Sequence, residues 1–125
     1  MLVESLPDGA KKLDLSEQTI QTDVELKLRL AGLTVIRIEE SDKVAGSPYI
    51  YVNVNLTDDA DAASVMVDLN QDATLSRNSE SVIGATTWQH GSLISHPTRE
   101  GIRGKIKDLV DEFLNDWLAV NPKPR

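Results

Sequence analysis

Apolar residues recur at two periods along this chain, and the switches between them mark out its elements. In "LSEQTIQTDVELKLRLAGL" (15–33), Ile20, Val24, Leu28 and Ala31 stand three to four residues apart. That is the apolar stripe of an amphipathic helix, predicted near 16–31. Ser16 suits its N-cap, Asp23/Lys27 and Glu25/Arg29 sit at i,i+4 with the acid first, and Gly32 before Leu33 suits a left-handed C-terminal cap. The period then falls to two, which sends successive side chains to opposite faces of a strand. Ile36 and Ile38 oppose Arg37 and Glu39 in "TVIRIEE". Ile50, Val52, Val54 and Leu56 oppose Tyr49, Tyr51, Asn53 and Asn55 in "YIYVNVNL", and Val65, Val67 and Leu69 oppose Met66, Asp68 and Asn70 in "SVMVDLNQ".

A further strand is predicted near 80–90, in "SVIGATTWQH". "GSP", "TDDADA" and "SRNSE" supply the breaks between strands, so consecutive antiparallel pairing is expected. "LVESL", directly after the first methionine, reads as one more short strand, and residues 1–15 as the remnant of a truncated N-terminal strand. The helical period returns in "TREGIRGKIKDLVDEFLNDWLAVNP", where Ile102, Ile106, Leu109, Val110, Phe113, Trp117 and Leu118 form one stripe. Asn121 and Pro122 are expected to end this helix and residues 123–125 to fray. These elements predict an α+β fold: a two-layer sandwich with a mainly antiparallel sheet of four to five strands and two helices on one face. No repeat, low-complexity tract or linker divides the chain, so residues 1–125 are read as a single domain.

Composition narrows the partners. The chain is 40% hydrophobic and 26% charged, with 13 basic against 20 acidic side chains and a net charge of -7. Such a charge repels nucleic acid and anionic membrane at long range unless the cations are gathered in one place. Without cysteine there is no disulfide framework, thiolate metal site or cysteine nucleophile. No apolar run approaches the roughly 20 residues needed to cross a bilayer.

Three places could carry chemistry. "ATTWQHGSLISH" (85–96) holds both histidines and one of the two tryptophans. By alternation Trp88 and His90 share a side of their strand, with Trp88 expected at the sheet margin, His90 capping a turn, and Gly91 and Ser92 beginning the loop to the last helix. His90 and His96 are too few for a metal and match no zinc spacing, so neither metal nor cofactor is expected. Ser92 or Ser95 with a histidine and an acid could compose a Ser/His/Asp set, but no nucleophile-elbow motif accompanies them, and no catalytic residue is assigned.

The second place is "REGIRGKIKDL". Gly101 and Gly104 form a G-x-x-G with Arg103 and Lys105 in and beside it, the pattern with which KH domains clamp a nucleic-acid backbone. The acidic balance and the single helix that follows make nucleic acid the weaker reading. The plainer one is that the glycines let the helix start pass close to a strand. Arg99, Arg103, Lys105 and Lys107 precede Asp108, Asp111, Glu112 and Asp116, the reverse of what the helix dipole favours. Free amides beside these cations suit an anion, whether phosphate or carboxylate; pairing with carboxylates, Lys107 with Asp111 included, is the alternative. The third place is the face carrying Tyr49, Tyr51, Asn53 and Asn55, which can bind by stacking and hydrogen bonding or serve simply as strand residues. Were Trp88 to share that face, its aromatic area would point to a protein partner or a homodimer.

The stretches "IQTDVELKLRLAGLTV", "PYIYVNVNL" and "LVDEFLNDWLAVNPK", in that order, resemble a family of small uncharacterised bacterial proteins, often made with export signals. The helix ending "LRLAGLTV" also resembles envelope α+β modules such as the N-terminal domain of the Tol-system propeller protein. The resemblance implies an exported binding or assembly domain, periplasmic or secreted with the cytoplasm as the alternative, and carries over no functional residue. The sequence therefore points to a noncatalytic interaction module. An anion-binding domain or small enzyme using the 88–104 loop, and a KH-like single-stranded nucleic-acid binder, are the alternatives.

Overall fold

The computed structural model describes residues 1–121; Pro122 and the expected fraying at 123–125 lie outside the described residues. The chain runs β1 (Leu2–Val3), α1 (Glu17–Leu30), β2 (Tyr49–Leu56), β3 (Ala62–Thr74), β4 (Ser81–Ser95) and α2 (Arg99–Val120), with 3-10 helices at Asp8–Leu13 and Ile38–Lys43. It is an α+β fold: one four-stranded sheet in the order β1-β2-β3-β4 with two long helices. β2, β3 and β4 form an antiparallel meander, while β1 lies parallel to β2 with Leu2 opposite Tyr51.

The helices begin and end as their sequences dictate. Ser16 Oγ accepts from the Thr19 amide at 3.2 Å. At the other end of α1, Gly32 takes φ 94°, and the Gly32 and Leu33 amides donate to the Arg29 and Leu28 carbonyls, both at 3.0 Å. This paired closure needs a left-handed residue, which glycine adopts without a Cβ penalty. Thr98 Oγ1 caps α2 by accepting from the Gly101 amide at 2.9 Å. Ile20, Val24 and Leu28 of α1 and Ile102, Ile106, Leu109, Val110, Phe113 and Leu114 of α2 are buried. They form one core with Ile50, Val52, Val54, Ala63, Val65 and Val67 of the sheet. The predicted alternation in β2 and β3 therefore holds, with the apolar set toward the helices.

Two expectations fail. "TVIRIEE" is not a strand: it runs irregularly from 34 to 37 and then enters the Ile38–Lys43 helical turn, where the Glu40 amide donates to the Arg37 carbonyl at 2.9 Å. β2 already has β1 on one side and β3 on the other, so no adjacent edge remains for it. Val35, with Leu33 just before the stretch, packs on the core, out of phase with the expected Ile36 and Ile38 face. The second failure is the end of β4, which continues to Ser95, so Gly91 and Ser92 pair with Met66 and Val65 rather than opening a loop. The long β3 partner supplies ladder bonds that override their turn preference.

Candidate functional site

β4 is the last strand of the sheet, and its outer side has no neighbour among the described residues. A free edge presents unpaired amides and carbonyls, which proteins commonly shield with lysine, proline, bulges or brevity. The other edge, β1, is two residues long. β4 is 15 residues long and contains no Asp, Glu, Lys, Arg or Pro, in a chain that is 26% charged. Its register irregularities fall opposite Leu69/Asn70 and Gln71/Ala73, so Trp88–Ser95 runs unbroken against Ala62–Leu69. This half of β4 is a regular, uncharged edge.

α2 packs against the helix-facing side of that edge. The Trp88 and His90 rings stack with centroids 4.7 Å apart and planes 10° from parallel, and Phe113 meets Trp88 edge-on at 5.2 Å. The Trp88 indole Nε1 donates to Asp116 Oδ2 at 2.8 Å, and His90 Nδ1 lies 2.7 Å from Glu112 Oε2. His90 thus caps no turn, and Trp88 lies on the helix side rather than on the tyrosine face. A two-residue step along β4 matches a four-residue step along α2, and one turn before Glu112 on the same flank stands Asp108, also exposed. Like charges at i,i+4 cost roughly 0.2–0.5 kcal/mol per pair, so this acidic flank is not there for helix stability.

Two of the four cations in the basic half of α2, Arg103 and Lys107, are used internally. Arg103 donates through Nε and Nη2 to the two carboxylate oxygens of Asp23, at 2.8 and 3.0 Å, and Lys107 Nζ lies 3.9 Å from the same carboxylate. The Arg103 hydrogen bonds, with the nearby positive charges, hold the Asp23 carboxyl below its ordinary range against an opposing effect of burial. Lys27 reaches Asp111 at 2.8 Å. Bridges between α1 and α2 thus replace the expected Asp23/Lys27 and Lys107/Asp111 pairs, because packing the helices brings the partners nearer than their own helix does. Glu25/Arg29 is found, at 3.6 Å.

Gly101 and Gly104 lie inside α2, not in a loop. A Cβ on Gly104 would meet nothing within 4 Å and one on Gly101 only Thr98 Oγ1, so neither glycine serves a close approach to a strand. The Gly101 amide is occupied by the cap, and among the described residues Arg99 and Lys105 converge on no shared partner. His96 takes φ 49° and lies 3.4 Å from Asp61, while His90 faces Glu112, so the histidines serve different carboxylates. Ser92 donates to the Leu93 carbonyl. Among the described residues no three His, Cys, Asp or Glu side chains are grouped to hold a metal ion.

On the face away from the helices, Tyr49, Tyr51, Asn53 and Asn55 oppose Asn70, Asp68, Met66 and Ser64. Gln89 Nε2 donates to Asp68 Oδ1 at 3.0 Å and Thr86 Oγ1 to Asn70 Oδ1 at 2.8 Å, which lets Asp68 and Asn70 be buried there. The Tyr51 hydroxyl donates to Glu4, whose carboxylate holds the proton and repels a phenolate, so the Tyr51 pKa is pushed up to about 12 from 10.0. The neutral phenol is thereby favoured in the folded state; this contribution is complete below pH 10 and is lost as pH rises through about 12. Titration by tyrosinate absorbance should show Tyr51 ionising near 12, and Glu4→Gln should bring it back toward 10. An unchanged titration in that variant would contradict the Glu4 contact.

A separate apolar cavity of about 350 Å³ opens between the C-terminal ends of the two helices, lined by Leu28, Leu33, Val35, Ile50, Phe113 and Trp117 among others. None of the described helices is long and apolar enough to cross a membrane. Sequence reasoning placed Trp88 and His90 in a candidate site but missed Asp108, Glu112 and Asp116 as their companions. Two signals were available: an uncharged stretch over 81–95 and acids four residues apart at 108, 112 and 116. No protein family, curated protein or solved structure matches the chain.

Proposed function

We propose that the protein is a noncatalytic interaction module that takes up an extended segment of a partner protein as a fifth strand beside β4. The observation that carries this reading is the unbroken, uncharged register of Trp88–Ser95 at a free sheet edge. Strand addition draws affinity from main-chain hydrogen bonds, each contributing a net 0.5–1.5 kcal/mol or so, and specificity from alternate side chains. Two features support it. Trp88 and His90 are anchored to α2, so the edge is pre-organised and little ordering cost falls on binding. On the outer face Leu93, 86% exposed, offers apolar area beside the same edge. The likeness of "IQTDVELKLRLAGLTV" and "LVDEFLNDWLAVNPK" to exported bacterial proteins favours a partner in the cell envelope. Panning a displayed library of random linear peptides against the folded protein tests the reading. Enriched peptides should alternate in character and slow amide exchange along β4. Enrichment of peptides that protect only the helices or the cavity, or no enrichment, would overturn it.

A further inference from the structure

We infer that the segment accepted by β4 is basic, with Lys or Arg at alternate positions on its helix-facing side. This rests on the reading of β4 as a strand-accepting edge and adds the chemistry of what it accepts. The flank of α2 beside the edge carries Asp108, Glu112 and Asp116, all exposed and one helical turn apart, with the half-buried Lys105 as its one cation. Four residues of helix advance about 6 Å, and two residues of strand about 6.8 Å. β4 itself uses this match, since Trp88 meets Asp116 and His90 meets Glu112. A strand added outside β4 repeats the same spacing one position farther out. Its helix-side residues fall past the stacked rings, at a distance that the long stems of Lys and Arg can span to these carboxylates.

The internal pairing of the cations sharpens the choice. Arg103 and Lys107 are committed to Asp23 of α1, and Lys27 of α1 to Asp111, along the flank of α2 that faces α1, so the flank beside β4 keeps three carboxylates against one cation, Lys105. A chain of net charge -7 draws in a basic segment at long range. A second copy of the chain is the poorer occupant: antiparallel pairing of two β4 edges would bring two such acidic flanks toward each other across the two-fold axis. An acidic or neutral segment would leave the carboxylates without counter-charge.

The test uses a capped peptide alternating Lys with Val, and versions with Lys→Gln and Lys→Glu, titrated into the full chain while the backbone amides of β4 and the Trp88 indole are followed by NMR. The Lys peptide should shift these signals saturably, bind about tenfold more tightly than the Gln version, and weaken as salt rises from about 0.05 to about 0.5 M. In the triple variant Asp108→Asn, Glu112→Gln, Asp116→Asn, whose amides can still bond to His90 and Trp88, the Lys preference should vanish while binding of the Gln peptide persists. Equal binding of Lys and Gln peptides at β4, or a preference unchanged in the triple variant, would overturn the basic partner and leave strand addition standing. Failure of all three peptides to shift β4 would overturn both. Dimerisation through β4 that blocks the peptides would replace the basic partner by a second copy.

Discussion

Phe113→Ala is expected to lower the stability of the fold by about 3–5 kcal/mol, the usual cost of truncating a buried phenylalanine. Phe113 is 4% exposed, between α2 and the sheet, and its ring supports the indole of Trp88 edge-on. It also lines the apolar cavity, so the space left by the ring joins an existing void instead of being filled by collapse of its neighbours. Urea unfolding followed by circular dichroism would measure the loss, with an unchanged slope showing that the unfolded state is the same. The near-UV signal of Trp88 should weaken under native conditions as well, because its edge-on support is gone. A loss below about 1 kcal/mol would mean that α2 does not pack on β4 through this ring.

Gly9→Ala should also destabilise, by about 1–3 kcal/mol. Gly9 is buried in the first 3-10 helix, where an added Cβ would overlap the Thr57 backbone carbonyl oxygen and come within 3.2 Å of Leu56 Cβ. A side chain in the way could rotate, but a backbone carbonyl next to the end of β2 cannot, so the whole N-terminal turn has to shift. Gly104→Ala is the control with the opposite sign. It sits in α2 with nothing within 4 Å of the new Cβ, and removing a helical glycine there should stabilise by about 0.5–1 kcal/mol. Chemical denaturation of both variants checks the pair; destabilisation by Gly104→Ala would restore a structural or functional need for that glycine.

Periodicity was enough to read most of the secondary structure. α1 and α2, with Ser16 and Gly32 at the ends of the first, and the two faces of β2 and β3 lie where local spacing placed them, because those patterns encode burial directly. What depends on distant partners was hidden. Whether "TVIRIEE" becomes a strand depends on whether a sheet edge is free beside β2, and none is. Whether Gly91 and Ser92 turn depends on the length of β3. The side of the sheet taken by Trp88 depends on its pairing with Leu69, a register that no local pattern reveals.

The candidate site was half legible for the same reason. Trp88 and His90 stood out as rare residue types, but their meaning came from Glu112 and Asp116, 22 and 28 residues away in sequence. Of the four cations that made the start of α2 look like an anion or nucleic-acid site, Arg103 and Lys107 are drawn toward Asp23 of α1. The charges of α2 are thus divided by flank: Arg103, Lys107 and Asp111 pair with α1, while Glu112 and Asp116 meet His90 and Trp88 of β4.

The most direct measurement is a set of isotope-filtered nuclear Overhauser effects between the unlabelled Lys–Val peptide and the labelled protein. Strand addition predicts cross-strand contacts from peptide backbone protons to β4 amides and α-protons between Trp88 and Ser95, in a single alternating register. Contacts confined to α1, the cavity or the tyrosine face, with none to that stretch of β4, would contradict it.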